Sequence, residues 1–147
     1  MKNTNKQYSF LFNPIIKTLD QIGIDHEPIL TAAGLSVNDT DKNPTVITNL
    51  QYNALFFELI QQVHEPGFGL LLGRNTELQD LGAHGYIAMT SKTVRDAIDM
   101  VLKYRSIVTN LIEREVKLKG NKVIWSLKRS SPLDKVHRLL VEWTFST

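Results

Sequence analysis

The hydrophobic pattern of this sequence changes from helix-like to strand-like in its last third, and this change constrains the fold strongly. On both sides of Gly120-Asn121, apolar and polar residues alternate with the period of a β-strand. Gly120-Asn121 is a two-residue turn of the type that closes a hairpin, so Lys119 pairs with Lys122. The resulting register pairs Leu118 with Val123, Val116 with Trp125, Arg114 with Leu127 and Glu113 with Lys128. The apolar residues then share one face, where Trp125 is expected to join the core.

Before the hairpin, proline and glycine divide the chain into helices, because proline suits the first helical turn and glycine suits the residue after the last turn. The first two predicted helices run from Asn13-Pro14 to Gly23 and from Pro28 to Gly34. Thr48 and Gln51 form a capping box for a longer helix, which is expected to lie at the centre of the core. Residues 1–9 are polar, so we expect them to be frayed.

The stretch from Leu81 to Tyr104 combines a glycine-rich hinge, Leu81–Gly85, with a short apolar run, Tyr86–Met89, and a further helix. Thr93 is a suitable N-cap for that helix, and Asp96 places negative charge in its first turn. The apolar stripe of this helix is expected to hold the hairpin in place. It consists of Val94, Ala97, Ile98, Val101 and Leu102.

A last helix follows the hairpin, with a cap near Ser131 and Pro132 in its first turn. Its apolar stripe consists of Val136, Leu139, Leu140 and Trp143. A hairpin alone is marginally stable in water and needs further strands or a helix to pack against. The predicted fold class is therefore α+β, in which a helical N-terminal half packs with an antiparallel β-hairpin or sheet and a C-terminal helix.

The composition is that of one globular domain, with 147 residues of which 42% are hydrophobic and 22% are charged. Cysteine is absent, which excludes disulfides and thiolate chemistry. No apolar run approaches the ~20 residues of a membrane span, and the N-terminus lacks the apolar core of a signal peptide. We therefore expect a cytoplasmic protein that does not enter a membrane.

Charge is distributed unevenly: residues 1–102 carry 7 basic and 11 acidic side chains, whereas residues 103–147 carry 10 basic and 4 acidic ones. Such an asymmetry can mark an anion-binding face, but a lysine-rich solvent face on the hairpin also explains it. Stacking on single-stranded nucleic acid requires aromatic and basic side chains together. The predicted register separates Trp125 from the lysines, so the chain by itself is not expected to bind nucleic acid.

The sequence contains no motif that predicts catalysis. Gly67, Gly69 and Gly73 lack the spacing of a phosphate loop, and we expect them to form turns around a short helix near Phe68–Arg74. The four histidines are His26, His64, His84 and His137, and no two of them share a metal-ligand spacing. We therefore predict that the protein is not an enzyme, and we predict neither a metal site nor a cofactor.

Several short blocks resemble the N-terminal effector-binding, arabinose-binding-like domain of AraC-type transcriptional regulators. They are Ile22–Asp25, Phe68-Gly69-Leu70-x-x-Gly73, Leu81-Gly82-x-x-Gly85-Tyr86, Thr90-Ser91-x-Thr93, Ala97 and Tyr104. Their order and spacing extend the resemblance from Ile15 to Trp143. Lys92 stands where the family commonly has proline, a difference that a capped helix start tolerates.

The resemblance implies a single sensor-type domain over residues 1–147, truncated at its C-terminus, that binds a small-molecule effector. The DNA-binding helix-turn-helix domain would be absent from this chain, so DNA would be a partner only through that missing domain. A homodimer is a further possible partnership. The alternative interpretation is a free-standing dimerisation or interaction module without a small-molecule ligand.

The residues near the central stretch that could contact a ligand are His84, Tyr86, Tyr104 and Arg105. Arg105 falls on the apolar stripe of its helix, where a guanidinium must pair internally, extend to water or meet an anionic ligand. The phenol of Tyr86 could instead cap a helix end.

Overall fold

The computed structural model of the chain describes residues 6–8, 12–36, 46–103, 112–120, 122–129 and 134–147. In chain order the elements are β1 (Lys6–Tyr8), α1 (Phe12–Gln21), α2 (Glu27–Ala32), β2 (Val46–Thr48), α3 (Asn49–Gln62), α4 (Phe68–Asn75), α5 (Ala83–Thr90), α6 (Val94–Lys103), β3 (Ile112–Lys119), β4 (Lys122–Arg129) and α7 (Asp134–Ser146). A short 3₁₀ helix, Leu78–Leu81, lies between α4 and α5. The predicted α+β class is confirmed.

The helix α3 lies at the centre of the core, as its sequence predicts. Its apolar residues recur on one helical face, and the ring of Phe56 is fully buried there. The centroid of that ring lies 4.9 Å from the ring of Tyr52 and 6.0 Å from the ring of Trp143 on α7. The surrounding core includes Phe12, Ile15, Leu19, Ile29, Leu30, Leu55, Leu59, Phe68, Leu72, Val136, Leu139 and Leu140.

The start of α3 is fixed by the predicted capping box. The hydroxyl of Thr48 accepts a hydrogen bond from the backbone N–H of Gln51 at 3.2 Å, and the Gln51 side-chain oxygen accepts one from the Thr48 N–H at 3.0 Å. The Gln51 amide group also donates to the carbonyl of Gly34 at 2.8 Å. The box therefore stabilises the first turn of α3 and holds it against the end of α2.

The ends of α1 and α2 are those that the sequence predicts. Gly23 and Gly34 have φ values of +73° and +70°, and the amides of Ile24 and Leu35 bond back to the preceding helices. One start differs: α1 begins at Phe12, so Asn13 lies inside its first turn and not at its N-cap. The predicted cap of α7 at Ser131 and Pro132 lies outside the described residues.

A short antiparallel pair joins the N-terminal residues to the start of α3. Lys6–Tyr8 pairs with Val46–Thr48, and Ile47 is buried between this pair and the helices. The expectation that residues 1–9 are frayed is therefore wrong for residues 6–8. The sequence of Lys6–Tyr8 shows no alternation that would predict a strand. Its backbone hydrogen bonds are made with β2, which lies about 40 residues further along the chain.

The hairpin β3–β4 has the predicted register, from Lys119 opposite Lys122 to Glu113 opposite Lys128. Leu127, near the open end of the hairpin, packs against the core. Trp125 is 44% exposed, so the prediction that it belongs to the core is wrong. Alternation determines which residues share a face of a hairpin, but it does not determine how much of that face another element covers.

The helices α4 and α7 approach each other so closely that glycine is required at two positions. A Cβ atom at Gly69 would lie 2.6 Å from the carbonyl oxygen of Leu139 and 2.6 Å from the Cβ of Glu142, and one at Gly73 would overlap the side chain of Ser146. Both glycines lie inside α4, so the prediction that they form turns is wrong for them. Gly67, which precedes α4 with a φ of +74°, does form the predicted turn.

Candidate functional site

The predicted ligand-contacting residues lie in or next to residues 78–103, which we call the site segment. It consists of three helices, namely the 3₁₀ helix, α5 and α6. Gly82 connects the 3₁₀ helix to α5 with φ 57° and ψ −131°, a backbone conformation that glycine adopts readily and other residues rarely adopt. A Cβ at Gly85 would overlap the backbone carbonyl of Leu78, so α5 packs directly on the 3₁₀ helix. The expected glycine-rich hinge and apolar run are therefore largely helical. Both glycines allow α5 to follow the 3₁₀ helix closely, Gly82 through its backbone conformation and Gly85 through its missing side chain.

The helix α6 has the predicted N-cap but a different packing partner. The Thr93 hydroxyl accepts a hydrogen bond from the N–H of Asp96 at 3.1 Å and donates to the Asp96 carboxylate at 2.8 Å. Val94 is exposed, whereas Ala97, Ile98 and Leu102 are half-buried. Among the described residues, α6 packs mainly against α5, so the expectation that its stripe holds the hairpin is not met.

Of the four predicted ligand contacts, the structure describes the side chain of Tyr86 alone. That ring is 68% exposed on α5, and its hydroxyl makes no hydrogen bond within the described part of the chain. His84 lies in the first turn of α5, where its backbone is described and its side chain is not. Tyr104 and Arg105 lie outside the described residues. The assignment of these four residues to a ligand site therefore stays a prediction.

Tyr86 is one of several exposed apolar side chains in the site segment. Tyr86 and Met89 are one helical turn apart on α5 and share a face, and Leu78 is exposed on the 3₁₀ helix against which α5 packs. Exposed apolar surface is the type of surface that small-molecule sites and protein interfaces use.

The last residue of α4 and the two residues after it, residues 75–77, form what we call the junction between the site segment and the core. The side-chain amide of Asn75 donates to the Thr18 hydroxyl at 3.0 Å and to the side-chain oxygen of Gln21 at 2.7 Å, both on α1. Glu77 accepts a hydrogen bond from Lys17 of α1 at 3.5 Å. The junction thus ties the start of the site segment to α1.

The middle residue of the junction, Thr76, contacts α7. Its hydroxyl accepts a hydrogen bond from the indole N–H of Trp143 at 2.8 Å and donates to the carbonyl of Leu72 at 2.6 Å. Both Thr76 and Trp143 are buried. Sequence reasoning did not find the junction, because its partners lie 54 to 67 residues away and no local pattern marks them.

The described histidine and carboxylate side chains do not gather into a metal site. No group of three or more histidine, aspartate or glutamate side chains is placed to hold a metal ion within the described ranges. The ring of His26 contacts the carboxylate of Asp20 at 2.8 Å, and Nδ1 of His137 is buried without a hydrogen-bond partner in that same part of the chain. No described helix is both long and apolar enough to cross a membrane.

Two comparisons with known proteins both find similarity to regulators. The family model of the arabinose-binding domain of the AraC transcription regulator, N-terminal, matches residues 23–146. The ornithine utilization regulator of Pseudomonas aeruginosa is 23% identical over 133 residues, which are 90% of this chain and 39% of that relative. The chain therefore spans about two-fifths of the relative's length. The family match contains the whole site segment, the junction and all of α7.

Proposed function

This chain belongs to the family of arabinose-binding N-terminal domains of AraC transcription regulators, and we propose on this premise that it senses a small-molecule effector. The bound effector controls DNA binding by a separate C-terminal helix-turn-helix domain, and the protein acts in the cytoplasm. The family match over residues 23–146 carries the proposal. An effector can act in this way only if it binds one arrangement of the two domains more tightly than another.

We propose that the effector binds at the site segment, with His84, Tyr86, Tyr104 and Arg105 as its contacts. The exposure of the Tyr86 ring and the absence of a hydrogen bond to its hydroxyl among the described residues support this placement. A guanidinium at Arg105 suits a carboxylate on the effector, because the two groups can form paired hydrogen bonds.

A thermal-shift screen of amino acids and small carboxylic acids tests this function. The name of the relative from Pseudomonas aeruginosa makes L-ornithine the first compound to test. A compound present at 100 times its dissociation constant stabilises the folded chain by about 2.7 kcal/mol, which raises the midpoint of a chain of this size by roughly 5–10 °C. Arg105→Ala is expected to remove most of this shift, and Tyr86→Phe to reduce it.

The matched control is Arg95→Ala, which removes an exposed arginine from α6 within the same segment and should leave the shift unchanged. An Arg105→Ala variant that responds like the unmodified chain would exclude Arg105 from the site. If no compound raises the midpoint and sedimentation shows a concentration-dependent dimer, the chain is an interaction module and not a sensor.

A further inference from the structure

The position of Thr76 depends on Trp143, because one buried hydroxyl makes two hydrogen bonds. It donates to the carbonyl of Leu72 and accepts from the indole of Trp143, so its single proton and an acceptor site are both in use. Moving Thr76 away would leave the indole N–H without this partner in a buried position. Leaving a buried donor unpaired costs more free energy than a typical hydrogen bond contributes. A displacement of either residue without the other is therefore unfavourable.

The helices α4 and α7 behave as one rigid pair. At Gly69 the backbone of α7 lies so near that a Cβ atom would not fit, and the same holds at Gly73 one turn later. Backbones in such close contact cannot slide past each other without a clash. A displacement of the last turns of α7 therefore moves the end of α4 as well.

The end of α4 leads into the site segment without a flexible linker. Thr76 is followed by Glu77, whose N–H donates to the carboxylate of Asp80 at 2.8 Å and so opens the 3₁₀ helix. That helix supports α5 through the contact between Leu78 and Gly85. Three contacts therefore connect Trp143 to α5. They are the hydrogen bond to Thr76, the capped start of the 3₁₀ helix and the close approach of Leu78 to Gly85.

We propose that the hydrogen bond between Thr76 and Trp143 couples the site segment to α7, so that a conformational change in one alters the stability of the other. The proposal rests on the proposed function in one respect: if the site segment binds an effector, α7 is the helix that receives the signal. The coupling itself is a property of the chain without a ligand.

Amide hydrogen exchange of the ligand-free chain tests the coupling. Trp143→Phe keeps a ring in the core and removes the indole donor on α7, and Thr76→Val removes the acceptor. Each change is expected to raise the exchange rates of residues 78–90 about five- to tenfold relative to those of α2. Thr76→Val also removes the bond to the Leu72 carbonyl, so the double variant should show no larger effect than Thr76→Val alone, which already lacks the bond to Trp143.

Two controls separate this coupling from general loosening. Thr76→Ser keeps the hydroxyl and should leave exchange in residues 78–90 unchanged, and Leu140→Val reduces packing on α7 without removing the bond. The proposal is overturned if Trp143→Phe leaves residues 78–90 as protected as in the unmodified chain. It is equally overturned if Leu140→Val raises their exchange as much as Trp143→Phe does. A failed ligand screen would remove the proposed function and would not change this result.

Discussion

Replacing Phe56 by alanine is expected to lower the free energy of unfolding by about 4 kcal/mol. The ring is fully buried on α3, and its centroid lies 4.9 Å from the ring of Tyr52 and 6.0 Å from the ring of Trp143 on α7, so its loss leaves a cavity in the core. Domains of this size have roughly 5–15 kcal/mol of stability in total, and the variant would therefore be close to unfolding. Urea denaturation followed by far-ultraviolet circular dichroism measures the loss as a lower midpoint concentration.

Phe57→Ala is the matched control, because the next residue on the same helix is also phenylalanine and is 42% exposed. Its truncation should cost less than about 1 kcal/mol. Equal losses for Phe56→Ala and Phe57→Ala would mean that α3 does not face the core in the described orientation.

Replacing Gly69 by alanine is expected to destabilise the protein by about 3 kcal/mol, although alanine normally favours a helix over glycine by about 1 kcal/mol. The added Cβ would lie 2.6 Å from the backbone oxygen of Leu139, and a backbone atom cannot move aside as a flexible side chain can. The helices α4 and α7 must separate instead. In a thermal melt the midpoint should fall by roughly 6–12 °C.

Leu70→Ala provides the comparison for Gly69→Ala, since Leu70 is the adjacent residue of α4 and is exposed. This change is expected to alter the midpoint by no more than roughly 2 °C. A Gly69→Ala variant that is as stable as the unmodified chain would contradict the close packing of α4 on α7.

Local features of the fold were predictable because their physical causes lie within a few residues of one another. The Thr48 and Gln51 side chains satisfy each other's backbone groups three residues apart, and Gly120-Asn121 sets the hairpin register through its turn geometry. The apolar period of α3 likewise needs only its own residues to show which face is buried. Such features follow from the sequence without any knowledge of distant contacts.

Features that depend on distant partners were not predictable in this way. Nothing near Thr76 indicates an indole 67 residues further along the chain, and nothing near Gly69 indicates the backbone of α7. The exposure of Trp125 depends on how far other elements extend over the hairpin, which the alternation of its strands does not contain. Residues 6–8 became a strand only because β2 lies beside them.

The candidate site was predicted by resemblance more than by chemistry, and the structure shows an architectural role for two of the matched residues. Gly82 supplies a backbone conformation that other residues rarely adopt, and Gly85 allows the contact with Leu78. Both are architectural. Tyr86, by contrast, is 68% exposed, and its role as an effector contact stays a prediction.

Whether the site segment binds an effector is tested most directly by hydrogen exchange with and without the compound that raises the thermal midpoint most. The proposed function predicts that amides within residues 78–103 become protected by a factor of about ten or more, while those of α2 change little. Protection confined to α1 and α2, or none at a saturating concentration, would contradict an effector site in this segment.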